Sequence, residues 1–335
     1  MSGSPPIDLA TTRRGEVDEA LIRGHVVVVD ASGLVVAAAG DPGAITTLRS
    51  CVKPLQALPF VRDAADELSV SDEELAVACA SHNGESIHVE TVLRLLGRVG
   101  LAEEALSCGP QPPMDEESWR AILAQGRTPG RVHNNCSGKH AAMLAVCVVR
   151  GWPVDGYAAA DHPLQRAIRQ VMGSFGEVDL DVAPSGIDGC GLPTEGVPLS
   201  VLARMFAAAT ADAGFRRCQD AMAARSYLVA GRGRFDTALL AVSGSVLTAK
   251  VGAAAVWVAV RRPSGPALAI KLEAGDGTAL PAIALAALGG LGWLDDAAVE
   301  DPRLAGFRHI ALRNWAGVEV GRVAVAPGWV ERLAG

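Results

Sequence analysis

A chain of 335 residues, half of them apolar and a fifth charged, is too apolar for disorder and long enough to bury a sizeable core. Its formal net charge of -7, with no Lys/Arg run longer than two, argues against an electrostatic grip on nucleic acid or on a membrane. Aromatic residues make up 4%, so the core is aliphatic, and a small neutral or zwitterionic molecule is the compatible partner.

The opening Met1-Ser2-Gly3-Ser4-Pro5-Pro6 has no basic segment followed by an apolar one, so no signal peptide is predicted. No apolar run is long enough to span a bilayer, and the expected location is cytoplasmic. Residues 24–30 are valine-rich, 31–33 form a turn and 34–39 return, which predicts a hairpin. Gly40-Asp41-Pro42-Gly43 is a loop. Residues 50–68 have helical periodicity, with Pro54 near the start where proline is tolerated. Ser71-Asp72-Glu73-Glu74 is a capping signal for a helix over 75–80. Further helices are predicted over 89–99, 115–125, 139–149, 162–173 and 198–213, and that over 139–149 is apolar enough to be buried.

From residue 235 the pattern changes to short apolar runs at 237–242, 246–251, 255–260 and 267–272. Turns at Ser243-Gly244 and Pro263-Ser264-Gly265 separate them, as in an antiparallel meander. A helix over 278–288 and a strand over 317–325 complete the chain. The predicted fold is α/β in the broad sense, more narrowly α+β. An antiparallel sheet is drawn from both chain ends, with a helical block between. One domain would cover 1–335, with a β/α lobe near 15–65 and 235–330 and a helical lobe near 66–234. The seven cysteines are odd in number and widely spaced, so a disulfide framework is not expected, and each reads first as a small buried hydrophobe.

Four short segments carry groups that could do chemistry. In Ser50-Cys51-Val52-Lys53 the serine and lysine are three apart and share a helix face. A lysine made neutral by burial can take the serine proton, although a capping serine and a solvated lysine give the same pattern. Ser81-His82-Asn83-Gly84-Glu85 clusters polar groups in a short loop, which also reads as a helix-linking turn. Lys250-Val251-Gly252 ends an apolar strand, and the glycine would let another backbone or a substrate approach. The order Ser-x-x-Lys, Ser-x-Asn, Lys-x-Gly is the layout of serine β-lactamases, penicillin-binding proteins and serine glutaminases. In the fourth segment, His133 to His140, Cys136 could join Cys190 in holding zinc, with a third ligand from Lys139 or a histidine. By spacing alone the metal signal is weak, and two buried cysteines with a polar loop are the preferred reading.

The phrases Arg49-Ser50-Cys51-Val52-Lys53-Pro54-Leu55-Gln56, Ser81-His82-Asn83-Gly84-Glu85, Asn134-Asn135-Cys136-Ser137-Gly138-Lys139-His140 and Asp188-Gly189-Cys190-Gly191-Leu192-Pro193 closely resemble the rhizobial-type L-asparaginases. Gly40-Asp41-Pro42, Gly231-Arg232-Gly233-Arg234-Phe235-Asp236-Thr237 and Lys250-Val251-Gly252-Ala253 add to the resemblance, which runs from about Glu19 to about Leu288. It implies a serine β-lactamase-like fold, a homodimer, and hydrolysis of L-asparagine to aspartate and ammonia. It also implies catalytic pairs Ser50 with Lys53 and Ser81 with Lys250, and a zinc ion (Zn2+) on Cys136, Lys139 and Cys190. Asn83 and Asp188 are the expected substrate-binding residues, and Asp188 is alternatively an orienter of a zinc ligand. Two positions depart from the family pattern: Ala254 stands where a glutamate is usual, and Leu280 where an arginine is usual. The other readings are a glutaminase or related serine amidohydrolase, and a diverged zinc- or amino-acid-binding protein without catalysis.

Overall fold

The computed structural model describes residues 4–334; the first three residues of the N-terminal reading lie outside them. The chain divides into two compact units. One comprises the chain up to Cys51, Gly196–Ala208 and everything from Val246, and the other comprises Val52–Glu195 and Ala209–Ser245. The architecture is α+β, as expected. No helix among the described residues is long and apolar enough to cross a membrane.

The first unit is built on an antiparallel sheet. Its strands are β1 (Ile7–Arg14), β2 (Val17–Val29), β3 (Val35–Ala39), β7 (Leu247–Gly252), β8 (Val256–Arg261), β9 (Ala267–Leu272), β10 (Ala311–Arg313) and β11 (Glu319–Val325). The order is β10-β11-β1-β2-β9-β8-β7, with β3 also pairing β2. The β2–β9 pairing, Val26 opposite Ile270, joins an early strand to a late one, so both chain ends close into one sheet. Val26 to Val29, Val256 to Val260 and Ala267 to Ile270 are buried without alternation, as in strands covered on both faces. The helix Leu280–Gly290 is apolar all round and correspondingly buried.

Short strands β4 (Ile45–Thr47), β5 (Ser185–Ile187) and β6 (Pro193–Pro198) make further pairings. Thr46 faces Val197 within the first unit, and Gly186 faces Thr194 within the second.

The second unit is helical. Its centre is Ser137–Arg150, whose residues from Ser137 through Cys147 are all buried. A Cβ at Gly138 would meet the Val77 carbonyl oxygen at 2.2 Å, so glycine there lets two helices touch. The capping box at Ser71 is present: Ser71 Oγ accepts from Glu74 N at 3.3 Å, and Glu74 Oε2 accepts from Ser71 N at 2.9 Å.

Two expectations are corrected. Residues 237–242 are not a strand but part of the helix Phe235–Ser243. A short apolar run fits either state, and Ala238, Leu239, Leu240 and Ala241 are strong helix formers. Residues 50–68 do not form one helix. They break into a 3-10 turn Arg49–Val52 and the short helices Lys53–Gln56 and Leu58–Asp63, each with a proline in its first positions.

The β7–β8 connection carries strain. Ala254 and Ala255 both take left-handed φ, 59° and 53°. Each non-glycine residue there costs about 1–2 kcal/mol. Ala255→Gly is expected to stabilise the protein by about 1 kcal/mol in chemical denaturation, with an unchanged m-value.

Candidate active site

In the second unit, the bend at Val52–Lys53 turns the Lys53 side chain fully into the interior. Its ammonium donates to Ala80 O at 2.5 Å, Ser81 Oγ at 2.9 Å and Asn135 O at 3.3 Å. The lysine expected to serve Ser50 is therefore bonded to the second expected serine. Ser81 is 5% exposed.

The Ser81 loop is an extended segment pinned along both edges. Ser81 N donates to Val229 O and Asn83 N to Ala230 O, while His82 N between them donates to Asn135 O. His82 Nδ1 accepts from Gly84 N at 3.1 Å, so the neutral ring carries its proton on Nε2 and donates it to Ser137 Oγ at 3.0 Å. Asn83 is engaged with protein groups. Its Nδ2 donates to Glu85 Oε1 and Arg232 O, and its Oδ1 accepts from Arg234 Nη1 at 2.9 Å. Glu85 is 6% exposed and accepts from Arg232 N at 2.9 Å and Tyr227 Oη at 2.6 Å.

The three expected zinc ligands also meet within this unit. Cys136 precedes the central helix, where the aligned peptide dipoles favour a thiolate. Lys139 lies one turn along on the same face. Cys190 comes from a turn closed by Gly191 N to Asp188 O at 2.9 Å. A hydrogen bond from Cys190, with the Lys53 and Lys139 cations nearby, pulls the Cys136 thiol well below its usual range. The Cys190 thiol is pushed up by the same bond and by burial. Lys139 Nζ donates to Cys190 Sγ at 3.4 Å, and the sulfurs raise its pKa against the opposing effect of burial. Asp188 is half-buried and adds to that rise. Among the described residues there is no metal-sized cluster of three His, Cys, Asp or Glu side chains. Two sulfurs and an amine nonetheless form a donor set that suits zinc, once the lysine gives up its proton.

Behind this set, His140 Nδ1 meets Tyr157 Oη at 2.6 Å, and Tyr157 Oη accepts from Ser107 N at 2.9 Å. Burial holds the His140 imidazole well below its usual range and pushes the Tyr157 hydroxyl up to about 12.

The first unit holds Ser50 and Lys250. Ser50 is half-buried on its 3-10 turn, and Cys51 Sγ donates to Lys250 O at 3.3 Å. A Cβ at Gly252 would lie 3.2 Å from Cys51 N, so this glycine permits the close approach read from the sequence. Lys250 is fully buried, and its Nζ donates to Val251 O at 2.9 Å.

Sequence reasoning gave no role to Glu85 or Arg234. The signal available was Gly231, whose φ of 115° and closeness to Glu85 Oε1 admit no side chain.

A family model described as L-asparaginase II matches residues 10–325. No curated protein matches the chain.

His82 and His88 stack with ring centroids 4.9 Å apart, and burial is the main cause that lowers the pKa of both. Unfolded, each titrates near the ordinary value of 6.5. Below that pH the unfolded chain binds more protons than the fold, so stability present above it is lost as pH falls. Each imidazole adds a slope of up to about 1.4 kcal/mol per pH unit. Thermal unfolding is expected to show Tm dropping below about pH 6.5. His88→Phe keeps a ring in the stack without the titration, and is expected to make that drop shallower.

Proposed function

The chain belongs to the L-asparaginase II family, and from that premise we propose that it hydrolyses L-asparagine to L-aspartate and ammonia with a serine activated by lysine. Amide hydrolysis needs a nucleophile, a base for its proton, donors for the oxyanion and a proton for the leaving nitrogen. The observation that carries the reading is the buried Lys53 amine 2.9 Å from Ser81 Oγ. Such an amine, in its neutral form, is within reach to take a hydroxyl proton.

In the proposed cycle Ser50 attacks the side-chain amide carbon and Lys53 takes its proton. Ser81 and Lys250 pass a proton to the departing ammonia. Water then cleaves the aspartyl ester, with the same groups acting in reverse. The Lys53–Ser81 hydrogen bond favours a second assignment, in which Ser81 is the nucleophile. The two assignments differ in which serine carries the ester, which mass spectrometry of acid-quenched enzyme reads directly. Lys53→Met is expected to lower kcat for asparagine by about 10²–10⁴-fold under either assignment. Ammonia release assayed with asparagine and glutamine checks both the loss and the substrate preference. No release from either amide by a folded, zinc-loaded protein would favour the diverged binding protein, the reading that Ala254 and Leu280 motivate.

Cys136, Lys139 and Cys190 are proposed to hold zinc, which when bound supplies a Lewis-acidic point for substrate atoms. Asp188 is proposed to meet the substrate ammonium. Elemental analysis is expected to find zinc in the purified protein, and Cys136→Ser or Cys190→Ser is expected to lose it. Zinc retained by both variants would remove this assignment. The reading also carries a cytoplasmic location and a homodimer, the latter open to light scattering.

A further inference from the structure

Every α-amino acid brings a carboxylate, and burying that charge without a partner is costly. In the helical unit, the cations around the Ser81 loop are already engaged. Lys53 donates to Ala80 O, Ser81 Oγ and Asn135 O. Lys139 faces the two sulfurs. Arg232 pairs with Glu117 and lies 3.9 Å from Asp115. Arg234 differs. It is half-buried, and its Nη1 is oriented by Asn83 Oδ1 at 2.9 Å and Met114 Sδ at 3.6 Å. Among the described residues it has no carboxylate within ion-pair distance.

The backbone sets where this guanidinium stands. Ser81 N and Asn83 N both donate to the 229–230 segment, and His82 N donates to the opposite side. That alternation is the phase of an extended chain, so the Ser81 and Asn83 side chains leave on one face, with Cα atoms about 7 Å apart. In an extended asparagine, three carbon–carbon bonds put the amide and carboxylate carbons about 4 Å apart. One charge-assisted hydrogen bond adds about 3 Å. A substrate whose amide lies at Ser81 thus spans the distance to a guanidinium at Asn83.

We propose that Arg234 is the specificity residue that binds the α-carboxylate of the substrate, held in place by Asn83 and Glu85. On this view Asn83 acts through Arg234 as a positioning residue. Its Nδ2 donates to Glu85 Oε1, which ties the bracket to the loop that carries the arginine. The inference rests on the amidohydrolase reading for its substrate class.

The test compares L-asparagine with β-alaninamide, which is asparagine without its α-carboxylate. In Arg234→Gln the ratio of kcat/KM for asparagine to that for β-alaninamide is expected to fall about 10- to 100-fold, mainly through the KM for asparagine. Arg234→Lys keeps the charge but not the planar fork, and is expected to fall between the two. A ratio unchanged in Arg234→Gln, with both substrates slowed alike, would overturn the proposal and leave the arginine a structural role. Binding separates this failure from failure of the amidohydrolase reading. Calorimetry with L-aspartate and with β-alanine, which lacks the α-carboxylate, needs no turnover. The wild type is expected to prefer aspartate, and Arg234→Gln to lose that preference. A wild type that binds the two alike would also overturn it.

Discussion

Compensation of buried positive charge is the constraint on which the helical unit depends. Lys53 is fully buried and Lys139 is 4% exposed, and an isolated buried ammonium is too costly to persist. Lys53 is satisfied by two carbonyls and a hydroxyl, and Lys139 by a sulfur pair, one member of which is pulled toward the thiolate. The acceptors come from three separate loops, around residues 80–81, 135–136 and 190. Their convergence on two amines ties distant parts of the chain together. Removing one partner from such a set leaves a charge without compensation, which costs more than the bond itself contributes. The same Lys53 amine touches Ser81 and helps hold the Cys136 thiol below its usual range, so one cation acts on both the hydroxyl and the sulfur set.

The loop that carries Ser81 is rigid for a second reason. Extended backbone with no neighbouring strand normally leaves N–H groups unsatisfied. Here Ser81, His82 and Asn83 find carbonyls on alternating sides, at Val229, Asn135 and Ala230. Side chains lock the arrangement: His82 bridges Gly84 N and Ser137 Oγ, and Glu85 bridges Tyr227, Arg232 and Asn83. Gly231 is required because a Cβ there would sit 2.3 Å from Glu85 Oε1. A hydroxyl held this way has its orientation set before any substrate arrives, which limits the reorganisation needed for reaction.

Much of this was legible in the sequence where chemistry is local. The capping box at Ser71, the buried helix from Ser137 and the meander of β7 to β9 follow from short-range pattern. Cys136, Lys139 and Cys190 were named through the family resemblance, and the fold does gather them. Spacing could not show which amine would meet which hydroxyl. The i, i+3 rule paired Lys53 with Ser50 and held no sign that the same amine meets Ser81 Oγ, a partner distant in sequence. Residues 237–242 misled for a related reason, since a short apolar run carries no period long enough to separate strand from helix. Strands β1, β4, β5, β6 and β10 went unread: β4, β5 and β10 are three residues each, and β1 alternates weakly.

The departures at 254 and 280 can now be weighed by what surrounds them. Leu280 is the first residue of an apolar helix and is 2% exposed, so the arginine usual in the family would need a buried partner there. Ala254 lies on the β7–β8 turn, where Lys271 Nζ donates to Ala254 O at 2.5 Å and to Leu272 O at 2.8 Å. Burial lowers the pKa of Lys271, and the Arg49 cation lowers it further. A glutamate on this turn would offset that repulsion, whereas in this chain backbone carbonyls receive the ammonium. The turn keeps its left-handed path without glycine at 254 or 255, which means the backbone around it is over-determined by the strands it joins. Lys250 and Gly252 end the strand that enters that turn, and Gly252 still accommodates Cys51. The departure therefore leaves position 254, just past the strand that carries Lys250, without a carboxylate.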